Sequence, residues 1–402
     1  MVPQQLNIGP GTNPTTYRAA LRDAVKQGRV AVDNDTGVTY VLRYDDIKPL
    51  LTDKRTVGGG RALFDSQNVP PGPLPDWFHS IMFSNEGPAH HRMRLLVQKA
   101  FTPRAIEGLR EKAAALVEER LARIREAGSG DLMAALVDVP MQVMCALIGA
   151  PAADARMLID WVNDLGPIFG QMTPKQIAAA SSAISHMLDY SLALRARRQD
   201  DPADDLMTEL IAAEDNGDRL TPNETAALIA NLIIGGYDTT VSQIGCTILT
   251  MLTHPAAMDE VNAHPDILDS TVSECFRYET GVPLTWREVV EPFDVAGVHC
   301  PKGSVLFINM MTANRDPTVW SDAESFIPKR FLDPEAPRLI AFGGGMHHCL
   351  GSWLARMTIG EVIRGVSALK PQLTIDPMAL EWEQVLGQNP KHLPVSIPAT
   401  VQ

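Results

Sequence analysis

From Asn223 to His254 the chain carries only Glu224 and Asp238 as charged residues, and no proline. Thr221 and Glu224 stand at the spacing of a capping box, and Pro222 suits the first helical position, so one helix can start there and run to His254-Pro255. It is apolar on nearly all sides, which only a protein interior can satisfy. A chain of 402 residues is long enough to build that interior around it. The expectation is a mainly α-helical protein with small β-sheets, crossed by one long central helix.

The centre of this segment reads Gly235-Gly236-Tyr237-Asp238-Thr239-Thr240. Glycine costs about 1 kcal/mol relative to alanine inside a helix. A threonine hydroxyl can also bond the carbonyl one turn earlier and bend the axis. Regular helix is expected to be given up here, and small residues such as Gly235 let a ligand approach the backbone.

A second stretch is Phe342-Gly-Gly-Gly-Met-His-His-Cys-Leu-Gly351. A glycine-rich turn brings backbone N–H groups close to a neighbouring atom. Cys349 sits where the chain leaves that turn for a helix-like run, and a helix N-terminus favours thiolate. Zinc would call for paired ligands such as Cys-x-x-Cys or His-x-x-x-His, and neither occurs around this loop. A single thiolate suits axial ligation of a haem iron better. Cys145, Cys246, Cys275 and Cys300 have no glycine loop and read as small buried hydrophobes.

The spacing Phe-Gly-x-Gly-x-His-x-Cys-x-Gly, filled by Phe342, Gly343, Gly345, His347, Cys349 and Gly351, resembles the cysteine-ligand loop of the cytochrome P450 family. The resemblance implies a single domain over residues 1–402 with haem b (iron protoporphyrin IX) held by Cys349, and the central helix crossing over it. It implies propionate contacts from His90 and Arg94 in Pro88-Ala-His-His-Arg-Met-Arg, from Arg287, and from His347. It leaves the position of His348 variable. The Gly-Gly-x-Asp-Thr pattern matches the family's oxygen-binding groove, assigning Asp238 to proton delivery and Thr239 to a hydrogen bond with dioxygen. Glu274 and Arg277, with Arg330, match a structural ion network. Leu284 matches a position that faces substrate, and Trp77, Phe78 and Phe169 are further candidates for an apolar pocket.

The implied reaction inserts one oxygen atom from O2 into a C–H bond or alkene of a small apolar substrate. Electrons would come from NAD(P)H through a separate ferredoxin and reductase, or a flavodoxin-type donor. Arg92, Lys99, Arg104 and Arg356 are candidates for that docking face. Two rivals stand beside this reading. A thiolate-haem enzyme that uses peroxide or rearranges its substrate often lacks the acid–alcohol pair, and a non-catalytic haem or ligand-binding protein has no use for Asp238.

A formal net charge of −13 argues against nucleic acid, whose phosphates call for clustered Lys and Arg. No apolar run reaches the length of a membrane span, and the first residues carry no basic or apolar leader, so no membrane anchor is expected. Five scattered cysteines suggest a reducing cytoplasm, and a monomer is expected. The β-containing parts are placed near 35–60, 285–310 and 375–400. A first helix is read at Tyr17–Lys26 and another starting at Thr102-Pro103, while Gly58–Gly87, with Pro70-Pro71-Gly72-Pro73, reads as a long irregular cover.

Overall fold

The computed structural model describes residues 4–8, 14–58, 60–101, 103–215, 217–384 and 387–398. Thr102, expected to cap a helix, lies outside them, as does the side chain of Lys99. The largest sheet among the described residues has strands β1 (Gln4–Leu6), β2 (Val30–Asp33), β3 (Thr39–Val41), β4 (Thr56–Gly58), β5 (Leu284–Val289) and β6 (Val305–Asn309). Their order is β1-β2-β3-β6-β5-β4. Leu306 lies opposite Thr39 on one side and Arg287 on the other, so distant parts of the chain share one sheet. Antiparallel pairing of β4 with β5 sets Gly58 opposite Arg287. A separate hairpin joins β7 (Trp382–Gln384) to β8 (Gln388–Pro390).

Helices make up most of the molecule. In chain order, those used below are α1 (Pro14–Gln27), α2 (Tyr44–Leu50), α3 (Gly60–Asp65), α4 (Pro73–Ser80), α5 (Gly87–Ala100), α6 (Val139–Ile148), α7 (Pro174–Asp200), α8 (Pro222–Thr253), α9 (Leu268–Tyr278) and α10 (Ser352–Leu369). Helix α8 starts on the expected capping box: Glu224 N donates to Thr221 Oγ1 at 3.2 Å, and Thr221 N donates to Glu224 Oε2 at 2.8 Å. Helices α6, α7 and α10 pack around it. Ile229, Ile233, Ile244, Ile248 and Met251 of α8 are fully enclosed. Each such side chain contributes about 1.5–3 kcal/mol by leaving water, so this helix anchors the core.

Two expectations are corrected. Residues 60–84 are not irregular throughout: they contain α3, α4 and a short 3-10 turn at Met82–Ser84, and the irregular stretch between the two helices is 66–72. Pro73 stands at the start of α4, where its fixed φ suits a helix and its missing N–H costs nothing. Leu74, Trp77 and Phe78 then fall on one buried face. Helix α8 also stays continuous through Gly235 and Gly236. The helices packed around α8 outweigh the weak propensity of two glycines.

Candidate active site

The loop from Phe342 to Gly351 is shaped by its glycines. Gly343 and Gly345 have φ of 66° and 67°, a left-handed conformation that favours glycine. A Cβ on Gly344 would lie 3.0 Å from Leu51 Cδ1, and one on Gly345 would collide with the Leu51 carbonyl oxygen. The loop thus lies directly against the end of α2. Cys349 N donates to Phe342 O at 3.1 Å, closing the turn. Cys349 is exposed, whereas the other four cysteines are buried.

The expected lowering of the Cys349 thiol by a helix N-terminus does not hold. Helix α10 begins only at Ser352. Surrounding protein pushes the thiol above its ordinary value, only partly offset by the Gly351 N–H and the Arg94 guanidinium.

Basic side chains from α5 and β5 gather beside this loop. His90 of α5 is buried, and its ring centroid lies 4.8 Å from that of His347. Burial, followed by the charges of His347 and Arg94, pushes His90 down to about 4. Arg94 lies one turn further along α5. Arg287 of β5 is buried and donates from Nη1 to Trp286 O at 2.9 Å. Burial lowers both guanidinium groups from their ordinary values, and neither has a carboxylate in salt-bridge contact among the described residues.

The sequence reading missed Glu86. Its Oε1 accepts from Gly58 N at 2.6 Å and lies 2.7 Å from His347 Nε2. Although burial raises the Glu86 carboxyl, the hydrogen bonds from His347 and Gly58 prevail and hold it below the usual range. The local signal was an acid directly before the Gly87-Pro88 helix start.

Helix α8 offers a bare patch of its own. Gly235 is exposed in a helix that is otherwise mostly buried, and a Cβ built on it meets nothing within 4 Å. A Cβ on Gly236 would collide with Met144 of α6, so the second glycine serves packing. Thr239 Oγ1 donates to Gly235 O at 2.6 Å. The partly buried Asp238 accepts at Oδ2 from Gly387 N, 3.4 Å away at the turn of the β7–β8 hairpin.

These features fit a haem. Burying a guanidinium without a carboxylate is costly, and Arg94 and Arg287 would gain partners in the carboxylates of the group. Cys349 supplies a soft donor for iron. Open glycine faces at Gly235, Gly343 and Gly351 leave room beside the backbone.

The expected ion network is present. Arg277 Nε and Nη2 donate to the two oxygens of Glu274 at 2.7 and 2.8 Å, and Arg330 Nε lies 3.1 Å from both. Arg277 also donates to the carbonyls of Asn314, Ala323 and Ser325, tying α9 to the segment before the cysteine loop.

The other candidates are not all brought to one place. Trp77 and Phe78 belong to the core: Trp77 Nε1 donates to Ala227 O at 3.2 Å, and Phe78 stacks on Phe64 with centroids 4.2 Å apart. Trp77 thus holds α4 against α8, and Phe78 holds it against α3. Phe169 is half-buried, with Phe83 and Trp286 at centroid distances of 6.2 and 6.3 Å. Leu284 packs partly against the N-terminal core beneath β3. Phe342 stacks obliquely on Phe276 at 4.7 Å. Arg92 does not serve a docking face beside the loop, because it pairs with Asp218 and Glu224 at the start of α8. Arg356 lies over the Phe342 ring and donates to Ser273 Oγ at 2.7 Å, while Arg104 is exposed. Met346 and Trp353 are large exposed apolar side chains flanking Cys349 in sequence.

A family model described as Cytochrome P450 matches residues 151–364. The chain is 32% identical to luteothin monooxygenase of Streptomyces thioluteus over 88% of its own length and 87% of that protein. It is 31% identical to mycinamicin IV hydroxylase/epoxidase of Micromonospora griseorubida, over 88% of each chain. Among solved structures, CalO2 superposes with a TM-score of 0.89 at 26% identity, covering 99% of each chain. The cytochrome P450 PksS of the Bacillus subtilis 168 bacillaene polyketide synthase superposes with a TM-score of 0.84 at 27% identity, covering 95% of this chain and 96% of that one.

Proposed function

This chain belongs to the cytochrome P450 family and is a monooxygenase, and we propose that it places one oxygen atom of O2 into a C–H bond or alkene of a small apolar substrate. The observation that carries the reading is the gathering of His90, Arg94 and His347 at the Cys349 loop; the buried Arg287 and the bare Gly235 face of α8 with its acid–alcohol pair add support. The relative named as a hydroxylase/epoxidase supports both outcomes.

In this reading Cys349 holds the iron of haem b, and Arg94, Arg287, His90 and His347 hold its propionates. Haem, when bound, supplies dioxygen activation and oxygen transfer, and a thiolate donor favours O–O cleavage. The chain's own task is to place substrate and deliver protons. Asp238 lies next to Thr239 in α8, where a carboxyl held by Gly387 N can take a proton from water and pass it towards the Thr239 hydroxyl. Thr239 Oγ1, anchored on Gly235 O, keeps its own lone pairs turned to the next donor. A peroxide-using enzyme or a passive haem carrier has no need of that pair.

Electrons from NAD(P)H through a ferredoxin and its reductase, or a flavodoxin-type donor, complete the reading. Exposed Met346, Trp353 and Arg104 would contribute to the docking face. No described helix is long and apolar enough to cross a membrane, and the five cysteines are all free; both features support action in the cytoplasm, and a monomer is the simplest state. NAD(P)H consumption and product formed with surrogate ferredoxin and reductase test the reading. Product linked to NAD(P)H in the parent, with coupling lost in Asp238→Asn, supports it. Equal coupling in parent and variant refutes the proton path.

A further inference from the structure

The geometry around Glu86 lies outside the roles given so far, yet it is tightly built. Glu86 precedes α5 and reaches two groups far away in sequence with one oxygen. That oxygen lies 2.6 Å from the Gly58 amide of β4 and 2.7 Å from His347 Nε2 in the cysteine loop. The space is filled: a Cβ on Gly58 would lie 3.0 Å from Glu86 Oε1 and 3.3 Å from His347 Nε2. Gly58 is itself paired with Arg287 across the sheet. The carboxylate therefore links the start of α5, the cysteine loop and β4, the strand paired with the one that carries Arg287.

We propose that Glu86 is a positioning residue that fixes the ring of His347 through Nε2, leaving Nδ1 as the one ring nitrogen free to meet a cofactor carboxylate. The proposal rests on the reading that His347 faces a propionate. A histidine ring can rotate about two bonds, and each ring nitrogen is a distinct donor or acceptor. A carboxylate on one nitrogen sets both the rotation and the role of the other, as it does behind metal-bound histidines. The adjacent His90 ring, 4.8 Å away, limits the remaining freedom from the side of α5. Glu86 thereby acts on the cofactor without touching it.

Haem loss from the holoenzyme to excess apomyoglobin measures this without recourse to activity. The set is the parent, Glu86→Gln, Glu86→Ala, His347→Ala and the double variant Glu86→Ala/His347→Ala. His347→Ala is expected to speed haem loss, and Glu86→Ala to speed it about 10-fold, in line with partners that act through a ligand. Glu86→Gln, which keeps an oxygen acceptor, falls between parent and Glu86→Ala. The double variant should lose haem no faster than His347→Ala alone, because Glu86 has nothing left to position. Propionate bending bands in resonance Raman spectra should shift in Glu86→Ala, a change that general loosening does not produce. Unchanged haem loss in His347→Ala would refute the propionate reading itself. Altered haem loss in His347→Ala with none in Glu86→Ala, or additive effects in the double variant, would overturn the role of Glu86.

Discussion

Thr239 Oγ1 donates to Gly235 O at 2.6 Å, one turn back along a helix that remains continuous. The hydroxyl therefore satisfies a carbonyl beside the exposed glycine and stays fixed at the bare patch of α8. Replacing it with alanine removes the hydroxyl and leaves the helix otherwise able to form. Thr239→Ala is expected to keep the bound-haem spectrum while NAD(P)H is spent without matching product. Product per NAD(P)H checks this, and a ratio equal to the parent's would remove Thr239 from the path.

The glycines of the cysteine loop make a graded prediction. Gly343→Ala places a side chain at φ 66° with nothing nearby, so it should cost about 1–2 kcal/mol of backbone strain. Gly345→Ala adds a collision with the Leu51 carbonyl, a backbone atom that cannot swing aside. Haem content of the purified variants should fall modestly for Gly343→Ala and severely for Gly345→Ala. Equal haem content in both would mean that α2 does not shape the loop.

The Glu274–Arg277 pair is fully buried. Arg277→Ala leaves Glu274 with Arg330 as its remaining charged partner, beside the Ile327 N–H at 2.8 Å, and should destabilise the protein by about 3–5 kcal/mol, as removal of one partner of a buried pair does. Arg277→Lys keeps the charge but loses the fork that reaches three carbonyls and should recover only part of that loss. Denaturant unfolding of both variants measures the difference. Full recovery by lysine would show that charge alone matters.

Much of this architecture was legible because its signals are local. The Thr221–Glu224 capping box needs only four consecutive residues, and the structure closes it as read. Glycines at 343 and 345 announced a special backbone. Glu86 was not legible, because its partner His347 lies 261 positions away and no local pattern joins an acid to a distant histidine. Arg92 failed for the same reason: its acids, Asp218 and Glu224, come from a distant part of the chain. Pro73 is ambiguous in the sequence because proline signals both a loop and the first turn of a helix, and Trp77 and Phe78, whose burial with Leu74 decides between them, fit a pocket lining as well as a core face.

Asp316 supplies a pH dependence. It is fully buried and accepts from Arg43 Nη1 at 2.7 Å, from the backbone N–H groups of Tyr44 and Thr318 at 3.0 Å each, and from the Thr318 hydroxyl at 2.7 Å. Burial raises its carboxyl, but these donors win and hold it below its ordinary value. A depressed folded value means that the stabilisation is present above the unfolded value and is lost as pH falls through the folded one. Asp316→Asn should cost about 1.5–3 kcal/mol near neutral pH, and the gap to the parent should close under acid. Denaturant melts across that range check it; a gap that stays constant with pH would contradict it.

Phe169 joins Phe83 and Trp286, bringing together the segment before α7, the turn after α4, and β5. Gln67 strengthens the junction, donating to Ile168 O at 3.3 Å and accepting from Met172 N at 3.0 Å. Phe169→Ala should loosen it and speed entry of a small azole that ligates haem iron. Stopped-flow binding of phenylimidazole should then show a faster association rate than in the parent. An unchanged rate would place the entry path elsewhere.

Cys349, alone among the five cysteines in being exposed beside the cation cluster, is proposed as the thiolate that binds iron. The most direct measurement is the absorption spectrum of the reduced, CO-bound protein for the parent and for Cys349→Ser. A strongly red-shifted Soret band is expected in the parent and its loss in the variant; a red-shifted band retained in Cys349→Ser would contradict ligation by Cys349.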